Sequence, residues 1–203
     1  MDKRSILKLL RETADRPLRP KEIARALGVD RHEYAGFKRL LREMEEAGEL
    51  YRVRKKRYAL PSRINLLVGR LQLTRSGHGF VVPDDGKGDV FVPATQLGNA
   101  FEGDRVVVRI ERRRRGRNPE GSVVRVLERA RSQMVGVFHR SGRIGFLVPN
   151  EVKSRRDLFI PQGSEGGAKD GDVAVARVID WGSENLDPVG EIVEVLGRPG
   201  QPG

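Results

Sequence analysis

The 203-residue sequence contains no cysteine, only three histidines and no long apolar stretch. Without cysteine, neither a disulfide framework nor a thiolate metal site can form, and nothing indicates an oxidising compartment. The histidines, His32, His78 and His139, are not paired at the spacing of metal ligands. No apolar run approaches the ~20 residues that span a membrane, and the amino terminus resembles a charged helix rather than a signal peptide. We therefore expect a cytoplasmic chain without membrane contact and without a cofactor.

Positive charge is present in excess, and the excess is unevenly distributed. The net charge is +11: residues 1–60 contribute +7, residues 61–131 contribute +6 and residues 132–203 contribute −2. A basic excess favours a polyanionic partner through the release of counterions, without sequence preference. The first 131 residues should therefore supply most of the phosphate contacts.

The stretch from Gly69 to Arg129 recurs, with small insertions, from Gly136 to Gly197. Each copy has two aromatic strands that end in proline, a Gly-Asp turn before a β-branched run, and a last β-rich strand. Such short runs between turn residues indicate a small antiparallel barrel. About five strands in roughly 60 residues fit an oligonucleotide-binding (OB) barrel. The repeat thus predicts two tandem OB barrels, over residues 66–131 and 132–197.

Residues 1–61 show a different pattern, that of three short helices followed by two strands. Asp30 and Glu33, three residues apart, predict a capping box for the third helix. A basic turn, Arg54–Arg57, separates the two strands. This order predicts a winged helix-turn-helix domain. The whole chain is then a multi-domain α+β protein, in which a winged helix precedes two five-stranded OB (cold-shock) barrels.

In a winged helix, the third helix and the hairpin straddle a nucleic-acid backbone. The candidate contacts are the cationic side chains of these two elements: Lys38, Arg39, Arg54, Lys55, Lys56 and Arg57. Helix-turn-helix units also serve as protein contacts, and a basic hairpin can simply be solvated. Both interpretations stay open on the sequence alone.

The aromatic strands of each copy offer a surface on which unpaired bases can stack. Side chains alternate between the two faces of a strand, so Phe80 and Phe91 point away from their neighbouring valines. With the valines inside the barrel, both rings lie outside, although a small core could also use such rings as filling. His78 shares the face of Phe80, and Gly77 and Gly79 would let a base approach the ring closely.

The second copy places Phe146 and Phe159 at the corresponding positions. Cations near the aromatic strands are the candidates for phosphate contact. They are Arg75, Arg105, Arg143 and a group between two strands of the first copy, Arg112, Arg113, Arg114, Arg115 and Arg117. Five arginines within six positions repel one another unless an anion lies nearby, which favours phosphate binding over a solvated loop.

These motifs resemble a known arrangement. The strands Gly77–Val82 and Val90–Val92 resemble those of cold-shock domains, and the second copy resembles the same domain in weaker form. Together with Gly79–Asp85, Gly103–Val106 and Glu194–Gly197, the order of modules is similar to the amino-terminal part of the bacterial ribonuclease R family, among the RNase II/RNB exoribonucleases.

The sequence also departs from the cold-shock pattern. Cold-shock strands usually carry an aromatic residue where His78 and Ile144 stand here. The histidine that often follows their second motif is replaced by Pro93 and Pro161. We therefore expect a reduced capacity for stacking, most of all in the second copy.

The resemblance implies an RNA-binding accessory region of a 3′→5′ exoribonuclease, which captures single-stranded RNA and feeds it to a nuclease domain that holds Mg²⁺. We expect that domain to lie outside these residues, with 198–203 as the linker to it, and we expect no catalytic residue or metal site here. The expected partners are single-stranded or structured RNA and, further, the ribosome or RNA-decay proteins; the chain itself is expected to be monomeric. The alternative is a free-standing winged-helix regulator that binds DNA and carries RNA-chaperone-like barrels.

Overall fold

The computed structural model of the chain describes residues 2–13, 16–113, 115–151, 153 and 156–200. It shows a helical unit followed by two closed β-barrels. Among the described residues, no helix has the length and apolar character needed to span a membrane.

The helical unit consists of α1 (Lys3–Glu12), α2 (Pro20–Ala26), α3 (Tyr34–Glu46) and a hairpin of β1 (Tyr51–Val53) and β2 (Arg57–Ala59). Apolar residues three and four positions apart give each helix one apolar side, and these sides meet in one core. Its fully buried members are Ile6, Ile23, Leu41, Met44 and Leu50. The sequence thus predicts both the number and the order of these elements.

The start of α3 differs from the prediction. Asp30 accepts hydrogen bonds from the backbone N–H groups of His32 and Glu33, at 2.9 and 3.1 Å. The helix begins only at Tyr34, and no side chain caps it. Asp30 therefore closes the turn that leads into α3, and the predicted capping box is wrong.

The first barrel consists of β3 (Leu66–Leu73), β4 (Gly79–Pro83), β5 (Val90–Val92), β6 (Arg105–Arg112) and β7 (Glu120–Glu128). Their order around the barrel is β3-β4-β5-β7-β6, and β3 pairs with β6 to close it. All pairs are antiparallel except β5 with β7. The arrangement is OB-like.

The second barrel repeats this order with β8 (Gln133–Ser141), β9 (Ile144–Pro149), β10 (Leu158–Ile160), β11 (Val173–Asp180) and β12 (Val189–Gly197). Within this barrel, the third strand again pairs with the fifth in parallel, here β10 with β12, and the other described pairs are antiparallel. The prediction of two tandem five-stranded barrels is confirmed.

A glycine occupies the same place in the first strand of each barrel, where two strands cross closely. A Cβ atom added at Gly69 would lie 2.2 Å from the carbonyl oxygen of Val82, and one at Gly136 would lie 2.2 Å from that of Val148. Because the obstructing atoms belong to the backbone, they cannot turn aside. A side chain at either position therefore requires the two strands to move apart.

The helical unit lies against the outer face of the first barrel through the end of α3. Gly48 has a φ of +72°, which suits the residue that ends a helix. An added Cβ at Gly48 would lie 2.4 Å from a methyl carbon of Leu127 and 3.3 Å from one of Val68. The turn after α3 is thus packed directly onto barrel side chains.

Two arginines of the first barrel strengthen this contact. Arg105 donates to the carbonyl of Ala47 at 3.1 Å, and Arg125 donates to that of Glu45 at 2.7 Å. The last carbonyls of a helix have no partner within the helix. The barrel therefore completes the hydrogen bonding of the end of α3.

We predict that Gly69→Ala destabilises the protein by about 1–3 kcal/mol, because its methyl group would collide with backbone atoms. Gly88→Ala is the matched control, since an added Cβ at Gly88 has no atom within 4 Å. Its free energy of unfolding should stay within about 0.5 kcal/mol of the parent. Urea unfolding followed by circular dichroism measures both. Equal stability of the two variants would show that the strand crossing tolerates a side chain.

Candidate nucleic-acid interface

Three rings lie together on the outside of the first barrel: His78, Phe80 and Phe91, which we call the first ring cluster. Phe80 and Phe91 pair directly across β4 and β5, with ring centroids 5.5 Å apart. The His78 centroid is 5.4 Å from that of Phe91. All three side chains are partly exposed, whereas the valines between them are buried inside the barrel. The predicted orientation of these strands is confirmed.

His78 is held in one orientation. Its Nδ1 accepts a hydrogen bond from the backbone N–H of Ala94 at 3.0 Å. An accepting nitrogen carries no proton, so the neutral ring has its N–H at Nε2. The ring is therefore fixed against Phe91 and offers a hydrogen-bond donor as well as a flat face.

The glycines beside the rings have another role than the one expected from the sequence. A Cβ at Gly79 would point into the barrel, 2.6 Å from a methyl carbon of Leu71. In the second barrel, a Cβ at Gly145 would lie 3.0 Å from the ring of Phe138. These glycines thus make room for large core side chains, and their effect on the outer face is indirect.

The second barrel has a ring cluster of different construction: His139, Phe146 and Phe159, which we call the second ring cluster. The centroids of His139 and Phe146 are 5.6 Å apart, and Phe159 pairs with Phe146 across β9 and β10. His139 comes from β8, where the first barrel has Gln72 opposite Phe80. The sequence does not single out His139, although its alternation with the core residue beside it indicates an outward position.

The exposure of Phe159 and of the neighbouring Ile144 distinguishes this cluster from the first one. Phe159 is 39% exposed, and Ile144, which stands in the place of His78, is 60% exposed. The second barrel therefore retains three rings, with an aliphatic side chain at the position where the first barrel has a ring. The reduced stacking capacity expected from the departures from the cold-shock pattern stays a prediction.

The arginine-rich loop, residues 112–117, stands at the edge of the first ring cluster. Glu120 pairs with Phe91 on one side and with Arg112 on the other, and the Phe91 N–H donates to the carbonyl of Pro119 at 2.8 Å. This register brings the loop beside the Phe91 ring. The exposed cations of the loop are Arg112, Arg113, Arg115 and Arg117. Arg114 lies outside the described residues.

The next feature of the loop is the lack of ion pairs at its described arginines. Within the part of the chain that the structure describes, none of these four arginines forms an ion pair with a carboxylate. An uncompensated group of like charges beside stacking rings is suited to phosphates.

The remaining barrel cations predicted from the sequence lie in two different places, at the hairpins and beside the helical unit. Arg75 and Arg143 are exposed at matching hairpins, β3–β4 and β8–β9. Arg105 is not near the rings: it pairs with Asp84 at 2.5 Å and donates to Ala47. Its role in this structure is to join the first barrel to the helical unit.

The predicted cations of the helical unit are mostly accessible. Lys38, Arg39, Arg54, Lys55 and Lys56 are exposed. The exception is Arg57, which is partly buried and has a buried Nε without a hydrogen-bond partner. Part of this side chain is therefore directed into the protein.

The two barrels meet at Trp181, in the loop between β11 and β12. Its ring meets Phe101 edge-on, with centroids 5.2 Å apart, and the Arg129 guanidinium lies 4.2 Å from the Trp181 centroid. Arg129 is held by the buried carboxylate of Asp104 at 2.9 Å. Burial lowers the pKa of Arg129, and the charge of Asp104 acts against this. We call these four residues the inter-barrel joint.

The joint uses the loop that corresponds to the arginine-rich loop of the first barrel. In the first barrel the loop between the fourth and fifth strands is cationic and projects beside the rings, whereas in the second it reaches back to the other barrel. Asn99 adds a hydrogen bond to the carbonyl of Gly182 at 2.9 Å. The corresponding loops of the two barrels thus differ in what they contact.

The repeated aspartates of the Gly-Asp turns are structural. Asp104 accepts the N–H groups of Phe101 and Ala130, both at 2.9 Å, and Asp172 accepts that of Lys169 at 2.8 Å. Across the described residues, no three His, Asp or Glu side chains converge in a way that could hold a metal ion. The carboxylates described here do not fit a two-metal site.

Comparison with known proteins assigns both barrels. The ribonuclease B OB domain matches residues 69–126, and the cold shock domain matches residues 146–203. Ribonuclease R of Vibrio parahaemolyticus is 36% identical over 197 residues, which is 95% of this chain and 24% of that protein. The chain matches the amino-terminal part of ribonuclease R.

The ribonuclease R of a second organism gives a similar match. The Escherichia coli enzyme is 34% identical over 185 residues, or 90% of this chain and 23% of that protein. The chain thus spans about a quarter of the length of the curated ribonuclease R relatives it matches.

Solved structures share the fold. Mycoplasma genitalium RNase R, in complex with ribose-methylated single-stranded RNA, has a TM-score of 0.59 at 20% identity, over 65% of this chain and 22% of that one. Yeast Ssd1, a pseudonuclease, has a TM-score of 0.57 at 18% identity, over 68% of this chain and 23% of that one. At these identities the likeness concerns the fold alone.

We predict that Trp181→Ala weakens the contact between the two barrels and leaves each barrel folded. The substitution removes one aromatic contact and one cation–π contact, each worth about 0.5–2 kcal/mol. The radius of gyration from X-ray scattering should rise while circular dichroism stays the same. Leu186→Ala is the control, since Leu186 lies in the same loop and is 66% exposed. An unchanged radius of gyration for Trp181→Ala would mean that other contacts hold the joint.

Proposed function

We propose that this chain is the RNA-binding accessory region of a ribonuclease R-like 3′→5′ exoribonuclease. The proposal rests on one observation: partly exposed rings stand together on each barrel, and an uncompensated cationic loop borders the first group. Each base stacked on such a ring contributes about 1–3 kcal/mol, with little preference for sequence. In a duplex the bases already stack on one another, so this surface selects unpaired strands.

The first barrel is the main contact in this proposal. It combines the first ring cluster with the arginine-rich loop and a net charge of +6 over residues 61–131. The second barrel offers the second ring cluster but a net charge of −2 over residues 132–203. Its contribution is stacking rather than phosphate binding, so it should depend less on salt.

The helical unit is proposed to be a winged helix. Its three helices and the following hairpin have the order of that fold. Exposed cations on α3 and on the β1–β2 turn support contact with the backbone of structured RNA, whereas the half-buried Arg57 contributes less. The proposed domains are residues 1–61, 66–131 and 132–197, followed by a linker at 198–203.

Hydrolysis is proposed to belong to a nuclease domain outside these 203 residues. Phosphodiester cleavage by two Mg²⁺ ions needs several carboxylates that converge, and the carboxylates described here instead close turns and form ion pairs. This region is therefore proposed to capture single-stranded RNA and feed it to that domain. A cytoplasmic monomer that meets the ribosome or RNA-decay proteins stays a prediction. No comparison favours the alternative of a DNA-binding regulator.

We predict that the double variant Phe80→Ala, Phe91→Ala binds single-stranded RNA more weakly by about 2–6 kcal/mol, because two stacking platforms are lost. Fluorescence anisotropy with a labelled oligoribonucleotide measures the dissociation constant. The matched control is Phe80→Trp, Phe91→Trp, which keeps flat rings and should retain affinity. Unchanged affinity in a folded alanine variant would falsify the role of these rings. Duplex DNA that displaces the RNA better than single-stranded RNA does would favour the regulator instead.

We predict that serine in place of all five arginines of the arginine-rich loop flattens the dependence of affinity on salt. Each phosphate contact on a single strand contributes about −0.7 to the slope of log affinity against log salt concentration. Lys8→Ser is the control for a remote charge, because Lys8 is exposed on α1 and paired with Glu12. RNA-binding titrations at several salt concentrations measure this slope. If the slope is the same as in the parent, the loop lies off the path of the strand.

A further inference from the structure

The outer surface of the second barrel carries a partly exposed apolar area that we call the valine face. Its members are Val135, Val137, Val148, Val173 and Val175. The strand register places them side by side: Val137 pairs with Val173 and with Val148, and Val135 pairs with Val175. Val135 is 44% exposed and Val148 is 36% exposed. A contiguous apolar area of this kind on a barrel marks a contact surface.

The first barrel has the corresponding area, and there it is partly covered. The repeat aligns the valine face with Val68, Arg70, Val82, Arg105 and Val107. The end of α3 lies over one part of it: a Cβ added at Gly48 would lie 3.3 Å from a methyl carbon of Val68, and Arg105 donates to the carbonyl of Ala47. Val107 is 1% exposed and Val68 is half-buried, whereas Arg70 at the rim is exposed. Val135 and Val175 of the second barrel are thus more exposed than Val68 and Val107, their counterparts beside the helical unit.

The exposed copy is also the more apolar of the two. Arg70 and Arg105 of the first barrel correspond to Val137 and Val173 in the second. If these positions only faced solvent, arginine would be favoured over valine in the second barrel, because a charged side chain is well hydrated and an apolar one is not. The replacement thus indicates that Val137 and Val173 meet apolar atoms in the assembled protein.

RNA does not fit this face. Valine side chains offer no flat surface for a base, and Arg177, on the same strand as Val173 and Val175, is paired with Glu191. Glu194, which pairs with Val175, adds a negative charge that repels phosphate. A protein surface is the occupant that this chemistry favours.

We propose that the valine face is the docking surface for the polypeptide that follows residue 203 in a chain of the length of its relatives. In the first barrel the cover comes from the adjoining segment of the same chain. Curated relatives continue well beyond the matched region, since the chain spans 24% of the first of them. Leu196 near the end of β12 is 52% exposed and corresponds to Leu127, which lies 2.4 Å from a Cβ added at Gly48. Gly197, the last residue of β12, pairs with Val173, so this strand ends beside the valine face.

The charge at the rim specifies the chemistry of the docked element. Arg125 of the first barrel donates to a carbonyl at the C-terminal end of α3, whereas Glu194 occupies the corresponding position in the second barrel. A carboxylate suits the N-terminal end of a helix or a cationic side chain. The docked segment thus presents apolar side chains with a positive end near Glu194. This inference is independent of RNA binding.

The absence of cysteine makes a direct test possible. Val135→Cys places a single thiol on the valine face, and Ser141→Cys places one at the exposed far end of the same strand, β8. Maleimide labelling rates are compared between the 203-residue chain and the same chain extended through the rest of its coding sequence. We expect the Val135→Cys thiol to react at least tenfold more slowly in the extended chain and the Ser141→Cys thiol to react equally in both.

A second variant separates docking from the stability of the barrel itself. Val148→Lys, at an exposed position of the same face, should lower the thermal midpoint of the extended chain by several degrees and leave that of the 203-residue chain unchanged. Equal labelling of Val135→Cys in both chains, or an equal loss of thermal stability, overturns the proposal. It is also overturned if the coding sequence stops at residue 203, if the valine face is protected only when RNA is added, or if sedimentation shows two copies joined through it.

Discussion

A closed barrel of about 65 residues has room inside for only one face of each strand, and side chains alternate strictly between the two faces. Valine, leucine and one alanine fill the interior of the first barrel, and Phe138 with leucine, isoleucine and alanine fills that of the second. Every second side chain of β4, β5, β9 and β10 is then forced outward, whatever its chemistry. The rings of both clusters are on the surface for this reason, and the proposed binding site is a consequence of how the cores are filled.

The same alternation explains what the sequence can and cannot predict. Periodicity predicts the barrels, the helices and the outward rings, because those depend on local pattern. The capping box at Asp30, the purpose of Gly79 and the position of Arg105 depend on groups distant in sequence, and a single sequence does not show them. His139 lies between these cases: its outward position follows from alternation, but its proximity to Phe146 requires the strand register.

The two copies share one strand order, but they differ in the core as well as in the loops and the outer faces. Phe138, Ala174 and Ala176 stand in the second core where the first has Leu71, Val106 and Val108. The loop between the fourth and fifth strands is cationic in the first barrel and carries Trp181 in the second, and the outer face has arginine in one copy where the other has valine. The same strand order thus accommodates different core side chains and different surfaces.

The inter-barrel joint has a further consequence for any ligand long enough to touch both barrels. When one barrel has bound a strand, the second barrel is held close to the next nucleotides of that strand. Its effective concentration is therefore higher than it would be on a flexible linker. If one strand binds both ring clusters as proposed, each barrel adds to the total binding free energy. The packing of Trp181 against Phe101 and Arg129 then sets the distance that such a strand has to bridge.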